Sequence, residues 1–152
     1  MKDPLRFPLF FDLSDKSALV VGGGRIAARR IQTLLPFVGR LTVVAPACAP
    51  EVRALADEGK LTLRERAFEP ADLDGAVLVL CAANDEAVDE SVWRLCRERG
   101  LLVNIASDKD KCDFYFPGIA RKENVVVGVT AGGKDHRQAR EVTEKIRKMF
   151  EE

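Results

Sequence analysis

The stretch Ser17-Ala18-Leu19-Val20-Val21-Gly22-Gly23-Gly24-Arg25-Ile26-Ala27 decides how this chain is read. Ser17–Val21 is a short apolar run that ends at three glycines, and it reads as a buried first strand. From Arg25 to Leu35, the apolar residues Ile26, Ala27, Ile31, Leu34 and Leu35 recur at helical spacing, and Pro36 and Gly39 then stop the helix. Taken as G-x-G-x-x-G/A, the turn uses Gly22, Gly24 and Ala27. Gly22 permits the tight turn, Gly24 lets the backbone approach a pyrophosphate, and Ala27 keeps the helix close to the sheet. Exposed N–H groups and the positive end of the helix favour phosphate there. A strand, turn and helix in this order point to dinucleotide binding, with Gly22, Gly23, Gly24, Arg25 and Ile26 as cofactor contacts. The alternative is a merely structural turn.

Outward from the turn, short β-rich runs alternate with helical ones. Leu41–Val44 reads as a second strand closed by Ala45-Pro46, followed by a helix over Glu51–Glu58 that stops at Gly59. Leu61–Leu63 alternates with charges and reads as a more exposed third strand. Ala76–Cys81 is the most apolar run and belongs centrally in the sheet. Asn84 is the expected cap of the next helix, whose stripe is Val88, Val92, Trp93, Leu95 and Cys96, with Gly100 at its end. Leu101–Ile105 is the fifth strand. The fold class is therefore α/β: a Rossmann-type doubly wound parallel sheet over residues 1–112. A small α/β segment follows over 113–152. In it Phe114–Pro117 and Val125–Thr130 are β-like, and Gly132-Gly133 leads into a helix over Asp135–Phe150 with Ala139, Val142, Ile146, Met149 and Phe150 inward. Two strands and a helix make a poor independent domain, so a two-fold homodimer through this segment is expected.

Composition narrows the function classes. The 152 residues are 47% hydrophobic and 32% charged, with 24 Lys and Arg against 24 Asp and Glu. That balance excludes disorder and gives none of the basic excess of a general nucleic-acid binder. No apolar run approaches the roughly 18 residues of a membrane span, and the charged N-terminal stretch fails as a secretory signal. Four separated cysteines and one histidine disfavour a metal site and fit a reduced, cytoplasmic setting.

The second strand ends in Ala45-Pro46-Ala47, where an acidic residue would normally bind the adenosine ribose. Ribose contacts must then come from backbone near Pro46 and Ala47. No arginine stands at this strand end to take a 2′-phosphate, which favours NAD over NADP. The turn Ala82-Ala83-Asn84 lies at the same carboxyl edge and should flank the nicotinamide half.

Several stretches together resemble a known family: Phe7-Pro8-Leu9-Phe10, Val20–Gly24, Val43-Val44-Ala45-Pro46, Leu73-Asp74-Gly75-Ala76, Ala82-Ala83-Asn84-Asp85, Leu102-Val103-Asn104, Cys112-Asp113-Phe114 and Gly132-Gly133-Lys134. In order and spacing the chain is similar to the siroheme synthase N-terminal family, that is, precorrin-2 dehydrogenases, some of which are also sirohydrochlorin ferrochelatases. The resemblance implies NAD-dependent oxidation of precorrin-2 to sirohydrochlorin, a homodimer built through the segment after the nucleotide-binding domain, and a site between the cofactor edge and that segment. Three departures stand out. Ser107 occupies the place of the family's aspartate, and an aspartate follows at Asp108; Asp135-His136 replace a usual Ser-Pro; the family's helical C-terminal region is absent from this sequence.

The candidate catalytic residues are thus Ser107 and Asp108. A carboxylate-rich tetrapyrrole needs cations and backbone donors, which makes Asn104, Gly132, Gly133, Lys134, His136 and Arg137 the candidate substrate contacts. Chelation leans on one placed acid or base, and serine is a poor one, so weak or absent metal insertion is expected beside intact dehydrogenation. A non-catalytic NAD-binding or scaffolding module of the same fold is the rival reading.

Overall fold

The computed structural model describes residues 4–152, and these divide into two compact units. One spans Phe11–Asp113; the other joins the segment up to Phe10 with Phe114–Glu152. The N-terminal segment thus groups with the second unit rather than with the sheet. The contact responsible is Arg6, whose guanidinium lies 4.5 Å from the centre of the Tyr115 ring and donates to the Tyr115 hydroxyl at 2.9 Å.

The larger unit runs β1 (Leu13–Val21), α1 (Arg25–Leu34), β2 (Val38–Val44), α2 (Pro50–Asp57), β3 (Thr62–Arg64), β4 (Ala76–Cys81), α3 (Glu86–Arg99) and β5 (Leu102–Ile105). Its five strands are all parallel in the order β3-β2-β1-β4-β5. β1 is central and β4 lies beside it. Helices cover both faces, so the inner strands read as continuous apolar runs, with Leu19, Val20, Val43, Val79 and Leu80 essentially solvent-free. Each such side chain contributes roughly 1.5–3 kcal/mol by leaving water. β1 begins four residues before the expected Ser17, because Leu13 already pairs with Val38 of β2. Its first half carries polar residues and stays largely exposed, which is why the apolar pattern missed it.

The cap of α3 corrects the sequence expectation. Asp85, not Asn84, accepts hydrogen bonds from the N–H groups of Ala87 and Val88, and Asn84 takes a left-handed backbone at φ 54°. Asn and Asp both suit either position, so composition alone does not choose.

The smaller unit is an antiparallel hairpin, β6 (Gly118–Lys122) with β7 (Val125–Val129), and the helix α4 (His136–Glu151). Phe114–Pro117 is irregular rather than a strand. α4 packs on β6 closely enough that a Cβ at Gly118 would meet the Thr143 hydroxyl at 2.3 Å. Arg147 donates two hydrogen bonds to the Ile119 carbonyl, at 3.0 and 2.7 Å. The inward stripe is Ala139, Thr143, Ile146 and Phe150, while Val142 and Met149 are exposed. The helix is rotated from the expectation because Thr143 satisfies its own hydroxyl on the Ala139 carbonyl at 2.7 Å and so can be buried.

Asp72 fixes the approach to β4. Its buried carboxylate accepts from Arg64 at 2.7 Å and from Arg66 at 2.9 and 2.7 Å. Hydrogen bonding to Arg66, outweighing burial, holds its pKa below the usual carboxylate range. A depressed folded-state pKa stabilises the fold above the unfolded value near 4 and loses that contribution as pH falls below it. Asp72→Ala should therefore cost on the order of 2–3 kcal/mol at pH 7, discounting for the partly exposed arginines. Chemical denaturation of both proteins should show the gap narrowing steadily below about pH 4.

Candidate functional site

The glycine turn sits where the exits of three strands are tied together. The Gly22 N–H donates to the Val44 carbonyl at 2.9 Å, and the Ala82 N–H donates to the Val21 carbonyl at 2.8 Å. Gly22 has φ +120°, and a Cβ there would stand 2.2 Å from the Ala82 oxygen. At Gly23 a Cβ would lie 2.7 Å from the Ala47 oxygen. Gly24 differs: nothing lies within 4 Å of its Cβ position. It caps α1 without a side-chain hydrogen bond, and the first turn holds no acidic residue. The first N–H groups of α1 therefore face an open surface at the positive end of the helix, which fits a pyrophosphate.

Around this turn, Arg25 and Ile26 open α1 on its exposed side, with Ile26 58% accessible. Pro46 and Ala47 are exposed beyond β2; Ala82 and Ala83 are half-buried beyond β4, and Asn84 is exposed. All belong to the carboxyl edge of the sheet, beside the β1/β4 boundary where the strand order reverses. Open parallel sheets bind ligands at that switch point. The arginines beside the end of β2 are engaged elsewhere: Arg53 forms a two-pronged pair with Glu65, and Arg64 holds Asp72.

At the end of β5 the two candidate catalytic residues part. Asp108 folds its carboxylate back onto the Asp110 N–H at 3.0 Å, capping a 3-10 turn over Lys109–Lys111. Ser107 is exposed, and its hydroxyl donates to Asp89 Oδ2 at 2.9 Å. Asp89 is 7% exposed and accepts from the Cys81 thiol on its other oxygen at 3.2 Å. Sequence reading passed over Asp89, although its spacing to Val92 and Cys96 puts it on the buried stripe of α3. Asn104 is 3% exposed and accepts from Arg30 at 2.7 Å, an internal strut between α1 and β5 rather than part of the surface. Asp113, within the resemblance, clamps β5 by exchanging hydrogen bonds with the Val103 backbone at 3.0 and 2.8 Å.

In the smaller unit, Gly132 and Gly133 both adopt left-handed backbone, at φ 72° and 73°. Gly133 lies against the Tyr115 ring. Asp135 caps α4 on the Gln138 N–H at 2.9 Å, leaving Lys134 and His136 exposed at its start. Arg137 pairs with Glu141 at 3.0 Å in solvent. All four cysteines are free, and burial pushes the Cys112 thiol up. Among the described residues no helix is long and apolar enough to cross a membrane, and no cluster of His, Cys, Asp or Glu is arranged for a metal. A cavity of about 420 Å3 opens toward the amino ends of β3 and β4, lined by Arg40, Lys60 and Asp74, and touches none of the candidate site residues.

The sequence profile of a family described as "Putative NAD(P)-binding" matches residues 9–118. The "Probable multifunctional siroheme biosynthesis protein HemA" of Ruminiclostridium josui is 39% identical over 95% of this chain, and the "Siroheme synthase" of Thioalkalivibrio sulfidiphilus is 38% identical over 92%. The chain spans only 28% and 29% of the lengths of these two proteins. Among solved structures, "SirC, precorrin-2 dehydrogenase" superposes with a TM-score of 0.80 at 25% identity, covering 96% of this chain and 74% of that one. With a strand-turn-helix shaped for a pyrophosphate and these matches along nearly its whole length, the chain belongs to the NAD(P)-binding siroheme synthase N-terminal family.

Proposed function

We propose that this chain is an NAD-dependent precorrin-2 dehydrogenase that forms sirohydrochlorin. The observation that carries the reading is the open, uncapped helix start at Gly24, on a fold shared with SirC over 96% of the chain. When bound, NAD supplies the two-electron acceptor. The chain's own task is alignment. Backbone N–H groups of Gly24, Arg25 and Ile26 hold the pyrophosphate, backbone near Pro46 and Ala47 meets the ribose, and Ala82, Ala83 and Asn84 flank the reacting end. NAD is preferred to NADP because Arg53 and Arg64 are already paired with carboxylates. Gly132, Gly133, Lys134 and His136 offer backbone donors and cations to the acidic tetrapyrrole. Metal insertion is the weaker activity in this reading, since Asp108 directs its carboxylate into its own turn.

The protein works in the cytoplasm as a homodimer. Its four free thiols suit a reducing compartment, and the smaller unit leaves Phe7, Phe10, Val125 and Met149 exposed. Light scattering should give twice the chain mass, and Met149→Asp should shift it toward the monomer; a monomeric parent protein contradicts this.

Mixing the protein with NAD and precorrin-2 should produce NADH absorbance in step with sirohydrochlorin. NAD binding without any NADH supports the non-catalytic module instead. Two glycine variants separate cofactor contact from folding. Gly24→Val, placed in open space, should keep the melting temperature and weaken NAD by at least about tenfold, near 1.4 kcal/mol. Gly22→Ala, forced onto the Ala82 oxygen, should destabilise the fold itself.

A further inference from the structure

The larger unit buries two carboxylates, and they are treated differently. Asp72 is held by two arginines. Asp89 has no ion pair among the described residues; its partners are the Cys81 thiol at 3.2 Å and the Ser107 hydroxyl at 2.9 Å. A buried carboxylate without a cation is costly, so its charge needs other support. Asp89 has it: the residue stands in the first turn of α3, where the helix dipole favours a negative charge. Burial pushes the Cys81 thiol up, so Cys81 stays protonated and serves as a donor.

The consequence falls on Ser107. A hydroxyl has one proton and two acceptor lone pairs. Its proton is committed to Asp89 Oδ2 in an otherwise exposed residue, which leaves the two lone pairs of the oxygen for an outside donor. This happens at the carboxyl edge of β5, joined to the end of β4 by the hydrogen bond from the Ala106 N–H to the Cys81 carbonyl at 2.8 Å. The glycine turn is held to the same β4 exit through Ala82. An acceptor backed by a buried carboxyl group therefore sits on the ligand edge of the sheet.

We propose that Asp89 and Ser107 form a proton relay for the oxidation, in which Asp89 acts as a base through the Ser107 hydroxyl. This rests on the dehydrogenase reading above. Bound NAD would take a hydride, that is two electrons and one proton, and the second proton lost in the oxidation has to pass from the ring to a base. Ser107 Oγ forms a bond to that proton while its own O–H bond breaks toward Asp89 Oδ2, and the pair of electrons of the broken ring bond stays in the ring. Asp89 then returns its proton by the reverse shift, and Ser107 releases one to water. Ser107 is the catalytic residue here, and Asp89 a positioning residue that acts through it.

Asp89→Asn keeps the shape and an acceptor oxygen for Ser107 but removes the charge. It should lower kcat by about a hundredfold, the range of a lost general base. NAD affinity, KM and melting temperature should stay near those of the parent protein. Ser107→Ala should give a similar loss, and the double variant no further loss, as for residues acting as a unit. Should Asp89→Asn fail to fold, Ser107→Ala carries the test alone through a loss of kcat at unchanged KM and NAD affinity. Unchanged kcat in either folded variant overturns the relay while leaving the dehydrogenase reading in place. A folded, NAD-binding parent protein that makes no NADH overturns the dehydrogenase reading and the relay with it.

Discussion

The passage of Gly22 beneath the Ala82 carbonyl is the constraint on which the rest of the larger unit depends. With a Cβ excluded there, β1 can leave the sheet directly under the turn that follows β4. The hydrogen bonds Gly22 N–H to Val44 and Ala82 N–H to Val21 then bring three strand ends to one edge. α1 starts from that edge with its N–H groups uncovered, and the strand order reverses beside it. Everything proposed about a cofactor follows from this small region. A residue larger than glycine would separate the strand ends before any ligand chemistry could be considered.

Beyond the end of β5, the buried Asp89 is met by short, neutral partners rather than by an ion pair. Asp89 is supported by a thiol, a hydroxyl and a helix start, and Asn104 of β5 is met by Arg30 of α1. Asp72 shows the contrasting use, in which two arginines lock a loop and leave nothing for chemistry.

Much of this was readable from the chain. The apolar runs at Ser17–Val21 and Ala76–Cys81 and the glycines at Gly22–Gly24 and Gly100 lie where the fold needs them, because buried strands and left-handed caps leave strong compositional marks. Three things were not readable. The choice between Asn84 and Asp85 as a cap depends on one backbone angle, which adjacent and chemically similar residues do not encode. The rotation of α4 turns on Thr143, a polar residue that apolar periodicity leaves out. Asp89 fails for the same reason, since a carboxylate on a helix is read as solvated until its neighbours Cys81 and Ser107, distant in sequence, are seen around it. In the candidate site the glycine turn was legible as a local motif, whereas the polar partners at β5 arise only when strands that are far apart in sequence are paired.

The most direct measurement of the central claim is an NMR titration of the 15N-labelled protein with NAD. The account predicts the largest amide shifts at Gly22–Ala27 and Ala82–Asn84, with Ser107 following. It is contradicted if those signals stay fixed while the residues around the opposite cavity, such as Arg40, Lys60 and Asp74, are the ones that move.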